Sequence, residues 1–283
     1  MRNIKEIVDS FHCGKTSIIS WRKSPVAVTP ARVWYDLSMT PGNPLPQYYA
    51  ASPLTSVILN KSDGGLYVNT GDTYTKTYIS KLTVISNSAT ALPLQIILLD
   101  YIMFYPFIDE GTTDEQILTT SSPLPRWTNG QGVMIMAVSV AGRTGGQYFK
   151  VKYVNQDGVA DRETTITIQN STSITGNIVT SEGNKLGTSG IFLPLQYGDT
   201  GVRYIQSVTM IGVDVGLFTL VLVKPIAQTK IMETTAPVEK DYLLDNGLLL
   251  PEINPNSYLN FICLPNGSLS GTSLYGTIET IWS

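Results

Sequence analysis

A constant internal offset constrains this chain more than any other feature. Residues 71–85 read Gly-Asp-Thr-Tyr-Thr-Lys-Thr-Tyr-Ile-Ser-Lys-Leu-Thr-Val-Ile, and residues 198–211 read Gly-Asp-Thr-Gly-Val-Arg-Tyr-Ile-Gln-Ser-Val-Thr-Met-Ile. Tyr78 and Tyr204 stand 126 residues apart, as do Ile85 and Ile211. The same offset joins Leu124-Pro125 to Leu250-Pro251, Val133 to Leu259 and Ile135 to Phe261. One shared tripeptide is weak, because β-branched alternation carries little information. A spacing kept over several blocks points to duplication. The 283 residues therefore divide into an N-terminal helix and arm (1–25), a first β domain (26–154) and a second (155–283).

The local patterns agree with an all-β fold. Many short apolar runs are separated by Gly, Pro and Asn, as in Asn60-Lys61-Ser62-Asp63-Gly64-Gly65. Leu94 to Phe107 is long and apolar, like a strand buried on both faces or bent at Pro106. Thr113 and Gln116 suggest one helical turn over 112–118. The expectation is two tandem β-sandwiches, jelly-roll-like, with Greek-key immunoglobulin-like order left open.

The one clear helix covers residues 1–11. Ile4, Ile7, Val8 and Phe11 recur at i, i+3, i+4 and i+7 and form one apolar stripe. A helix this short needs something to pack on. Its own domain is one choice. The other is a neighbouring subunit, gripped by an arm, because the Pro-bearing stretch 24–30 separates helix from domain. Trp21 and Trp34 bracket that stretch and suit anchoring of an arm, whereas Trp127 and Trp282 read as core.

Chemistry is hard to place on this chain. His12 is the only histidine and lies beside Cys13, which is no Cys–His dyad. One His and two distant Cys cannot build a zinc site, and no Asp-rich loop has calcium spacing. We expect no catalytic residue, metal or cofactor. Gly14-Lys15-Thr16-Ser17 resembles the end of a phosphate loop, but Asp9 occupies the place of its first glycine. Asp109, Glu110, Asp114 and Glu115 could pair as in a glycosidase, though an exposed acidic loop accounts for them as well. Cys13 and Cys263 form no disulfide framework, which suits assembly in a cytoplasm.

Only 14% of residues are charged, against about 25% in ordinary domains. Either partner subunits cover much of the surface, or Ser, Thr, Asn and Gln replace charge there. No basic run of five supports nucleic-acid binding. No apolar run reaches the length of a membrane span, and the N-terminus lacks a secretory pattern.

Several blocks, taken together, resemble a group of tailed-bacteriophage virion proteins. They are Leu82 to Thr90, Ile97 to Tyr101, Phe104 to Asp109, Thr113 to Gln116, Tyr153 to Gly158, Phe192 to Leu195 and Gly198 to Arg203. The resemblance runs from about Trp34 to the end and carries over no active-site residue. It implies a virion protein assembled in the host cytoplasm, with the major capsid protein and copies of itself, as a trimer for example, as partners. Capsid decoration or cement is the role it implies first. A tail or receptor-binding module that reads host glycans is the alternative.

Overall fold

The computed structural model describes residues 4–69, 76–171, 174–181, 190–234, 236–245 and 250–282. Among these residues, helix α1 (Ile4–His12) is followed by ten strands of four residues or more. They are β1 (Thr16–Lys23), β2 (Thr77–Ser86), β3 (Leu94–Asp109), β4 (Met134–Ser139), β5 (Tyr148–Asn155), β6 (Val202–Ile211), β7 (Leu217–Ile231), β8 (Val238–Asp241), β9 (Leu259–Pro265) and β10 (Leu274–Trp282). A short helix α2 (Tyr242–Asp245) follows β8.

The strands make three antiparallel sheets. The central sheet runs β9-β3-β7-β4. The first outer sheet runs β8-β2-β10-β1. The second outer sheet is built on β5 and β6, with the pairs Arg162–Glu163 and Gln116–Ile117 at its edges. At about 3.3 Å per residue, the 16-residue β3 reaches roughly 50 Å, long enough to underlie both outer sheets.

Alternation along β3 shows how the layers stack. Leu94, Ile96 and Leu98 enter a core shared with the first outer sheet, which includes Trp21, Leu82, Phe261, Leu274 and Ile278. Met103 and Tyr105 enter a second core, with Phe149, Val151, Ile205 and Val208 of the second outer sheet. Ile97, Leu99 and Tyr101 point the other way, into a third core. There irregular segments supply the cover: Trp34, Tyr49, Leu59, Ile178 and Tyr258. The all-β sandwich expectation holds.

The 126-residue repeat reappears as repeated pairing. β2 pairs β10, and its counterpart β6 pairs β5. β3 pairs β9, and its counterpart β7 pairs β4. β3 and β7, each the other's counterpart, pair together at the centre. The boundary at 154/155 does not, however, separate two tandem bodies. It cuts the last residue of β5 from that strand and parts β5 from its partner β6. The first outer sheet takes its strands from the two ends of the chain and the second from its middle. Periodicity locates strands but does not say which copy of a strand each will pair with.

Other readings also shift. Gln116–Ile117 is a short strand on Ser207 and Val208, not a helical turn. The pairing strand overrides the local capping signal. β3 extends through Pro106 and bends there, with Phe107 at φ 58°. The first Gly-Asp-Thr, residues 71–73, lies outside the described residues.

Candidate assembly surface

The helix, strand β1 and the stretch after it follow one another along the chain, and each leaves apolar side chains exposed. α1 closes with Cys13 N–H bonded to Asp9 C=O and Lys15 N–H to Ser10 C=O, around Gly14 at φ 67°. That left-handed residue ends the helix and turns the chain into β1. The helix docks through Ile7, which packs with Tyr78 and Ile281, and through buried Ser10. Its apolar stripe is therefore rotated off the contact. Ile4 stays 64% exposed, and Val8 and Phe11 are exposed beside it.

In β1 the alternate residues Ile19, Trp21 and Lys23 face inward, while Ile18 is 70% exposed. Trp21 stacks at 4.1 Å on Phe261, and Trp34 sits in the third core. These two rings, expected to anchor an arm on a partner, are core residues of this chain, as is Ile7. Trp21 follows the inward alternation of β1, whereas Trp34 lies just before the Tyr35–Asp36 pair, with its backbone N–H bonded to the Ser181 hydroxyl. The half-buried Trp127 and Trp282, expected in the core, lie nearer the surface.

The stretch after β1 is also tied down. Ser24 N–H bonds Pro41 C=O, and Leu269 N–H bonds the Thr29 hydroxyl. Lys23 is fully buried and donates to the carbonyls of Thr40 (3.2 Å) and Pro44 (2.7 Å). Burial pulls its pKa down to about 7, against the field of Asp36. Val26 and Val28 nonetheless remain exposed. From Ile4 to Val28 the chain thus presents six large apolar side chains on firmly held backbone.

The acids near residue 110 do not converge. Asp109 and Asp114 are exposed, and Glu115 bonds Lys152 and Ser207. Glu110 alone is buried. It lies 3.1 Å from the Arg143 guanidinium, an ion pair without hydrogen-bond geometry. Desolvation raises its pKa to about 7, against the pull of Arg143. The folded chain therefore holds a proton that the unfolded chain releases near pH 4.5. This contribution to stability is complete below about pH 4.5 and is lost as pH rises through 7, by about 3 kcal/mol at most. Glu110→Gln should flatten the change in urea-unfolding free energy between pH 5 and 7.5. An unchanged slope would assign the dependence to other groups.

Gly14 to Ser17 turns from a helix end into a strand, opposite to the order a phosphate loop requires. Among the described residues, no three His, Cys, Asp or Glu side chains stand where they could share a metal ion. Cys13 is exposed and Cys263 buried, both free. Among the same residues no helix is long and apolar enough to cross a membrane.

Sequence reasoning missed a buried network at the centre. Asp100 lies on β3 between the first and second cores, fully buried. It accepts from Arg126 Nε (2.8 Å) and Nη2 (2.6 Å), Trp127 Nε1 (2.8 Å) and Ser257 Oγ (2.8 Å). Arg126 also donates to the carbonyls of Leu59 and Tyr101. The signal was present, since a carboxylate inside an apolar strand buried on both faces demands a partner.

No family model matches the chain, and no curated protein matches it. Among solved structures it is similar to chains from infectious bursal disease virus, Gt strain, and from the VP2 subviral particle of that virus. Identity is 8% in both, over 95% of this chain and 81% and 80% of theirs, with TM-scores of 0.18 and 0.19.

Proposed function

We propose that this chain is a structural virion protein of a tailed phage. It binds the capsid surface and bridges neighbouring capsomers as a decoration or cement protein, without chemistry of its own. Its partners are the major capsid protein and copies of itself. The observation that carries this reading is the apolar N-terminal surface, Ile4 to Val28, held on an ordered backbone. Burying one such side chain against a partner contributes about 1.5–3 kcal/mol. A preformed surface also saves the ordering cost that a flexible arm would meet on docking. The low charge and the resemblance to phage virion proteins point the same way.

The test is attachment to particles. A deletion to residue 20 would remove five of the eight residues of β1 and disturb the first outer sheet. Deletion of residues 1–14 spares β1 and should leave the far-ultraviolet β-sheet signal in place, less the contribution of the nine-residue α1, while lowering the copies retained on purified particles at least tenfold, the equivalent of about 1.4 kcal/mol. Unaltered retention would refute the role of α1.

A further inference from the structure

Strand β1 leaves one side of the first outer sheet open. Toward β10 it is paired along its whole length, Thr16 to Lys23. On the other side, among the described residues, only Arg22 and Lys23 are paired, with Asn43 and Gly42. Two contacts fix which backbone groups face outward. Trp282 N–H donates to Lys15 C=O, so the odd-numbered residues bond β10. Asn43 Nδ2 donates to Ser20 C=O, so the even-numbered ones face the open side. Thr16 and Ile18 therefore turn both N–H and C=O outward, and Ser20 its N–H.

Native sheets guard such edges with Lys, Pro or a bulge. The run Thr16-Ser17-Ile18-Ile19-Ser20 contains none of these. The left-handed turn at Gly14 bounds it on one side and Asn43 on the other, so the free edge is five residues centred on Ile18.

We propose that this edge pairs antiparallel with the same edge of a second copy, about a two-fold axis through Ile18. Ile18 of each copy then exchanges N–H···O=C bonds with Ile18 of the other, and each Ser20 N–H reaches the opposite Thr16 C=O. A second copy fits for three reasons. Two identical edges paired antiparallel about a two-fold are isologous, and the one carbonyl already occupied, that of Ser20, leaves the Ser20 N–H free to face the opposite Thr16 C=O. No charge lies within it to oppose a like charge. The residue that would meet Asn43 is Gly14 of the other copy, where the strand has already ended. The two exposed Ile18 side chains become direct cross-strand neighbours.

The inference extends the assembly reading above, but its test uses the free full-length protein, so it fails separately from particle attachment. Sedimentation velocity at concentrations up to roughly 100 µM should show a dimer, since a small strand-paired interface holds in the micromolar range. Ile18→Pro removes only an outward N–H and should give a monomer with the wild-type melting curve. Ile18→Lys is the second variant, should proline disturb the fold, and should also be monomeric. A wild-type monomer throughout that range would overturn the proposal. So would a dimer that persists in a folded Ile18 variant.

Discussion

Asp100→Ala is expected to lower the unfolding free energy by about 3–5 kcal/mol. The substitution removes one carboxylate but strands more than one group. Arg126 keeps its charge with 1% of its side chain exposed, and Trp127 Nε1 and Ser257 Oγ lose their acceptor. Water cannot easily replace what is lost, because Asp100 sits where the first core gives way to the second. Urea unfolding measures the loss, and a change below about 1 kcal/mol would contradict the network's role. The double variant Asp100→Leu with Arg126→Met removes the buried charges together. It should be less damaged than Asp100→Ala alone, although the carbonyls of Leu59 and Tyr101 stay without their donor.

Asp36→Ala should cost about as much, roughly 3–5 kcal/mol, for a related reason. Asp36 is fully buried and accepts from Tyr49 Oη (2.5 Å), Tyr101 Oη (2.7 Å), Ser38 N (2.8 Å) and Ser38 Oγ (2.8 Å). Burial raises its pKa, and these donors offset only part of the rise. Asp36→Asn separates charge from hydrogen bonding. An amide keeps one acceptor oxygen but adds two N–H donors to a shell made of donors, so it should restore little. Thermal unfolding of both variants decides the point. Near wild-type stability in Asp36→Asn would mean that the shell rearranges and that its polarity matters less than its shape.

Much of the fold was legible, and each miss has a physical cause. β3 was read as 94–107 and runs to Asp109, because an uninterrupted apolar run admits few other states. The helix was read as 1–11 and spans Ile4–His12 among the described residues, ended by Gly14. The 126-residue offset is legible in the sequence, and its blocks fall on strands with matched pairings. The partnership of strands was not, since β5 could as well have closed on β2 within its own repeat as on β6 of the other. Trp21 and Trp34 flank a Pro-bearing stretch, and that pattern alone points to a partner rather than to the core. The hydrogen bonds that Thr29 accepts from Leu269 and Ser24 donates to Pro41, which fasten this stretch to its own fold, have no local sequence signature. The second Gly-Asp-Thr now has a function in the fold. Asp199 accepts from Tyr153, Asn155 and Arg162, and these bonds hold its carboxyl below the usual range despite desolvation.

Of the surface readings, Ile4, Val8 and Phe11 alone among the proposed arm residues remain available to a partner. The helix uses Ile7 to hold its place and leaves the rest of the stripe outward. Ile18, which no helical pattern would select, is a further exposed apolar side chain, on β1.

A reconstruction of the particle that contains this chain tests the central claim most directly. The account predicts density for the three-sheet body on the outside of the capsid shell, between capsomers, with Ile4, Val8 and Phe11 within contact distance of another subunit. Density for the chain at the tail tip, or on the shell with these side chains facing solvent, would contradict it.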